Sequence, residues 1–131
     1  MSAGNREKLE GILEQLFAGR SLDRDVLADD AEWVNPPDAV EGGTRRGFDA
    51  FNDAIANVFA AWDDVHFDTE RVIEDGDTIV ALGALRGHIR GPGMAVEAPH
   101  GQIWTFRDGR VIRMQWCNTH AETLQVAGVR E

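Results

Sequence analysis

Between Gln102 and His120 the chain reads QIWTFRDGRVIRMQWCNTH. Two runs of β-branched and aromatic residues flank Arg107-Asp108-Gly109, the pattern of a β-hairpin. Side chains alternate across a strand, so the length of the turn decides which of them share a face. A two-residue turn at Asp108-Gly109 sets Phe106 opposite Val111 and puts Trp104 on the same face as Arg113, mixing apolar and charged groups on both sides. A three-residue loop, with Gly109 left-handed, pairs Phe106 with Arg110 and reverses the parity beyond it. One face then carries Gln102, Trp104, Phe106, Ile112, Met114, Trp116 and Asn118; the other carries Ile103, Thr105, Val111, Arg113, Gln115 and Cys117. The sequence favours this second register, because it gathers the large side chains and leaves just two amides, Gln102 and Asn118, among them. An amide in an apolar wall needs a partner, and a bound ligand is one candidate.

The rest of the chain supplies something for that face to pack on. Leu9, Ile12, Leu13, Leu16 and Phe17 fall at helical spacing within residues 6–18, and Gly19 ends that helix. Ser21 is placed to cap a second helix over residues 21–28. A short strand over 31–35 stops at Pro36-Pro37, and a long loop rich in glycine and proline runs from Pro36 to Gly47. A third helix over 48–62 carries Phe48, Phe51, Ile55, Val58, Phe59 and Trp62 on one stripe. Strands follow at 65–73, 78–90, 94–106 and 111–118, with a terminal helical turn over 121–127. Helices first and a meander afterwards indicate a single α+β domain over residues 1–131, with three helices packed on one face of a curved antiparallel sheet.

Charge and composition narrow the partners. The 131 residues include 23 acidic against 13 basic side chains, a formal charge of −10, which repels a nucleic-acid backbone or an anionic membrane over most of the surface. No run of 18 apolar residues is present and the N-terminal MSAGNREKLEG lacks the apolar core of a secretory signal, so the expected location is the cytoplasm. The single Cys117 forms no internal disulfide, no helix-borne metal spacing such as HExxH occurs, and the Glu41-Gly42-Gly43-Thr44 stretch lacks the lysine of a phosphate loop. Neither metal nor cofactor is expected.

The order of elements, together with ADDAEWVNPP, RRGFDAF, EDGDTIVALG and WTFRDGRVIRMQW, resembles the SnoaL-like domains of the nuclear-transport-factor-two-like superfamily over roughly residues 6–128. The resemblance implies a cone, or cystatin-like roll, whose concave face is closed by the helices into an apolar pocket. It also implies relatives that are ketosteroid isomerases, polyketide cyclases, epoxide hydrolases or dehydratases, so fold alone does not decide function. In the isomerases the base precedes a proline at the end of the first strand; here that position is Asn35, which has no basicity near neutral pH. The isomerase tyrosine matches Ile12, and the aspartic acid that holds the enolate oxygen matches Gln102. The acidic residue of the cyclases falls near Trp116, Asn118 and Thr119, none of them acidic. Arg71 and Arg86 are the arginines open to an epoxide hydrolase site, with no inward aspartate to match.

The expected site follows from both lines. Trp33, Asn35, Phe59, Trp62, Trp104, Met114, Trp116 and Asn118 are the candidate ligand-binding residues. His100, on the same parity as Gln102, is the candidate acid or base, with Asp38 or Glu41 of the long loop as rivals and Gln102 as the group that stabilises charge on oxygen. The expected ligand is a hydrophobic small molecule. The expected activity is a lyase, isomerase or cyclase step on a carbonyl compound; a non-catalytic carrier or sensor and an association module are the alternatives. Ile103, Val111 and Cys117 leave the outer face half apolar, and the resemblance implies that a second copy covers it, giving a homodimer.

Overall fold

A computed structural model describes residues 2–36 and 43–129. Helix α1 (Ser2–Phe17) buries Leu9, Ile12 and Leu16 along one stripe. Strand β1 (Leu27–Asn35) follows, then β2 (Gly43–Arg46), α2 (Phe48–Ala60), β3 (Trp62–Asp75), β4 (Thr78–Ile89), β5 (Ala95–Arg107), β6 (Arg110–Cys117) and α3 (His120–Ala127). The six strands form one curved, unclosed sheet in the order β2-β1-β6-β5-β4-β3. The α+β architecture is the expected one. The sheet is not wholly antiparallel, because β1 runs parallel to β6.

Three local readings need correction. No helix forms over residues 21–28. The Asp23 side chain accepts the Asp25 N–H at 2.9 Å, while Asn52 of α2 holds both the N–H and the C=O of Leu22, at 2.8 and 3.0 Å. Those bonds take the backbone groups that a helix would use, and the chain enters β1 instead. The second correction is β2, which lies inside the stretch read as loop and pairs with β1 through Trp33↔Arg45 and Asn35↔Gly43.

The third concerns the hairpin. Asp108 and Gly109 form a two-residue turn with both residues left-handed, φ 52 and 79, and Arg107 pairs with Arg110. That geometry matches the right-handed twist of the flanking strands. Phe106 therefore faces Val111, the register the sequence had disfavoured. The pairing then steps from Phe106↔Val111 to Thr105↔Arg113, leaving Ile112 as the extra residue of a β-bulge. The bulge performs the parity reversal that had been assigned to the loop. Trp104↔Met114 and Gln102↔Trp116 thus share the core face as expected, while Val111 replaces Ile112 in the core.

Both faces of the sheet carry packing. Helices α1 and α2 close over the concave face, where Trp33, Phe51, Ile55, Ile79, Trp104, Phe106 and Met114 form the main core. Helix α3 lies on the opposite, convex face. Its Leu124 and Ala127 pack on Val80, Leu82 and Ile103, and its fully buried Thr123 stands so close to Gly101 that a Cβ there would overlap the threonine hydroxyl. Thr119 caps this helix by accepting the Glu122 N–H at 3.1 Å, and left-handed Gly128 closes it. Among the described residues no helix is long and apolar enough to cross a membrane.

Candidate functional site

The concave face holds a cavity of about 120 Å³. Leu16 and Phe17 of α1, Val58 and Phe59 of α2, Trp62 and Val65 of β3, Leu85 of β4, His100 and Gln102 of β5, and Met114 and Trp116 of β6 line it, together with Trp33 of β1. Each strand residue follows from the register. Leu85 shares the face of Gly83, which pairs with His100, and Ala81, which pairs with Gln102. Gly83 matters because a side chain there would collide with the Asp68 carbonyl and the Phe67 ring. Without one, Phe67 packs edge-on against His100 with centroids 5.4 Å apart.

Two amides organise the aromatic walls. Asn35 Oδ1 accepts the indole N–H of both Trp33 and Trp116, each at 2.8 Å. The oxygen that the sequence offered to a ligand is therefore engaged with the cavity's own walls. Gln102 Oε1 accepts the Trp104 indole N–H at 2.9 Å, and its Nε2 lies 3.1 Å from His100 Nε2. An indole N–H only donates, so it selects the amide oxygen and turns the Gln102 NH₂ toward His100. His100 is 6% exposed, between Phe67 and a Trp116 ring 5.6 Å away. Burial, with a smaller contribution from nearby His120, lowers its pKa to about 4. The imidazole is therefore neutral at pH 7 and a weak base.

The other candidates are placed as follows. Trp104 is fully buried beneath the cavity and reaches it only through Gln102. Asn118 lies past the end of β6 and is exposed, because the strand stops at Cys117. Asp38 and Glu41 lie outside the described residues. His88 is exposed and paired with Asp64 at 2.8 Å, an arrangement that holds the Asp64 carboxyl below its usual range through that hydrogen bond. His66 is exposed, and His120 Nε2 donates to the Gly83 carbonyl at 2.7 Å. Arg86 is bound by Asp68 and Glu97 on the surface. Among the described residues no carboxylate lines the cavity and no cluster suits a metal ion. Leu16, Phe17, Val58, Val65 and Leu85 were not among the sequence candidates. The helical stripes of α1 and α2 were their signal for Leu16, Phe17 and Val58, and for Leu85 it was parity with Gly83.

Comparison with known proteins places this geometry in a lineage. No curated protein sequence matches the chain. A protein of Jannaschia sp. CCS1 assigned to the SnoaL-like polyketide cyclases superposes with a TM-score of 0.76 at 20% identity, over 95% of this chain and 91% of that one. TerC, co-crystallised with polyporic acid, gives 0.76 at 21% identity over 95% and 98%. An NTF2-like protein of unknown function from Burkholderia pseudomallei K96243 gives 0.64 at 23% over 93% and 89%. These likenesses establish the NTF2-like fold. The SnoaL-like domain matches residues 7–114, and with most of the sequence inside that match, the chain belongs to the SnoaL-like domain family.

Proposed function

We propose that the chain binds a small, largely apolar ring compound in the concave cavity. The observation that carries this reading is the cavity's composition: an apolar wall of three indoles, two phenyl rings and aliphatic side chains, with a single polar edge at His100 and Gln102. The enclosed space is somewhat smaller than the roughly 150 Å³ apolar cavity that takes benzene, but the cavity is partly open, so a single substituted ring enters without being wholly enclosed. Clamping Trp33 and Trp116 on Asn35 pre-forms the slot, so little ordering cost attends binding. The cavity-facing Trp33, Trp62 and Trp116 provide the test. Titration with acetophenone is expected to change tryptophan emission saturably, and Leu85→Trp, which fills the space, to abolish the change. An unchanged emission in the wild type, with no small molecule co-purifying by native mass spectrometry, overturns the reading.

A lyase, isomerase or cyclase step on a carbonyl compound is the second reading. It is favoured by the hydrogen-bonding edge and requires a base other than His100; Asp38, which lies outside the described residues, is the candidate that the sequence offers. Accelerated deuterium exchange into the acetophenone methyl group, lost in Asp38→Asn, supports it; no acceleration removes it. A homodimer through the convex face is also proposed, supported by the surface that α3 leaves uncovered around Thr105, Arg113, Gln115 and Val126.

A further inference from the structure

The ring proton of His100 is fixed from a distance. Trp104, fully buried, donates to Gln102 Oε1, and the Gln102 NH₂ faces His100 Nε2. An NH₂ cannot accept, so Nε2 must, and the single proton of the neutral ring sits on Nδ1. Among the described residues Nδ1 has no hydrogen-bond partner. No buried side-chain nitrogen or oxygen among them goes unpartnered either. Nδ1 therefore opens onto accessible space, and the space that His100 lines is the cavity.

We propose that Trp104 and Gln102 are positioning residues that hold His100 as an N–H donor toward the cavity, so that the site selects apolar rings carrying a carbonyl oxygen over equally shaped rings without one. This rests on the cavity being a binding site and adds what the site reads. The charge-stabilising role expected of Gln102 passes to His100: the Gln102 oxygen and one of its N–H groups are committed within the protein, and its task is to set the tautomer. A carbonyl reaching the Nδ1–H gains one hydrogen bond inside an apolar wall, where an unpaired donor is costly.

The test uses acetophenone and its isostere α-methylstyrene, in which CH₂ replaces the carbonyl oxygen. Wild-type protein is expected to bind acetophenone about tenfold more tightly, the ratio given by one net hydrogen bond. Nitrogen-15 NMR of His100 is expected to show a protonated Nδ1 and a bare Nε2. In Trp104→Phe the amide is free to turn over, so the ring should show mixed tautomers and the acetophenone advantage should shrink while α-methylstyrene binding persists. Gln102→Met, close to isosteric, is the second variant should Trp104→Phe fail to fold; because Gln102 lines the cavity, its readout is the His100 tautomer alone, again expected to be mixed. A proton on Nε2 in the wild type, equal affinity for the two probes, or a tautomer unmoved by both substitutions overturns this inference and leaves the cavity reading standing. Binding of neither probe overturns both.

Discussion

His100 shows how one position acquires a chemical character that its residue type does not specify. A free imidazole titrates near 6.5, whereas here burial and His120 bring the value to about 4. The folded state therefore resists protonation that the unfolded chain accepts. Stability from this group is complete above about pH 6.5, falls as the pH drops toward 4, and is lost below that. The difference amounts to about 3 kcal/mol across that window. Urea denaturation at a series of pH values should show wild-type stability declining between pH 6.5 and 4, with a shallower slope in His100→Phe; parallel slopes would refute the assignment. The sequence placed His100 inward by parity with Gln102, but burial by Phe67 depends on Gly83 in another strand and had no local signature. The two amides were read as a matched pair on one face. Gln102 does lie there, yet its structural counterpart is Asn35 rather than Asn118, because the ladder ends at Cys117 while β1 joins β6 in parallel and brings Asn35 to Trp116.

Among the elements, the β5–β6 hairpin was the most legible and the most instructive. Its strands and shared apolar face follow from composition and alternation, but the same face arises from a loop of odd length or from an even turn plus a bulge. Periodicity reports parity at the two ends and says nothing of where it reverses. The Asp-Gly dipeptide was the better guide, since it favours the two-residue turn. The 21–28 segment failed differently: its helical pattern is too short to hold without tertiary support, and Asn52 captures Leu22 first. Helix α3 was legible as a helical turn but not as a convex-face element, because its anchor is the absence of a side chain at Gly101. That anchor makes a prediction. Gly101→Ala would drive a methyl group into fully buried Thr123, and overpacking of this kind costs about 1–3 kcal/mol. Adding Thr123→Ala should return part of that loss. Thermal melts of the single and double variants check it; additive losses would mean that the two residues do not press on each other.

At the scale of the molecule, charge and the convex face work against each other. Two copies that meet there bring together chains of formal charge −10, and that repulsion acts over a screening length of about 10 Å at 0.1 M salt and about 30 Å at 0.01 M. The expected apolar patch is not there: α3 buries Ile103, Cys117 is buried, and Val111 belongs to the main core. The contact surface therefore consists of a Val126 that is 48% exposed beside Thr105, Arg113 and Gln115. Helix α3 already shields Val80 and Leu82, so the apolar area left for a partner is smaller than the sequence alone suggested. The proposed homodimer should therefore be weak at low ionic strength and tighten as salt screens the repulsion, the reverse of an interface held by opposite charges. Sedimentation equilibrium at 10 and 150 mM salt is expected to show the monomer–dimer balance moving toward dimer. Val126→Glu, which sets an extra negative charge in the contact on each copy, should hold the chain monomeric at both concentrations without changing its melting behaviour as a monomer. A wild-type monomer at both salts, or dimers that Val126→Glu leaves intact, would remove the convex face as the interface and leave the surface around Val126 facing solvent.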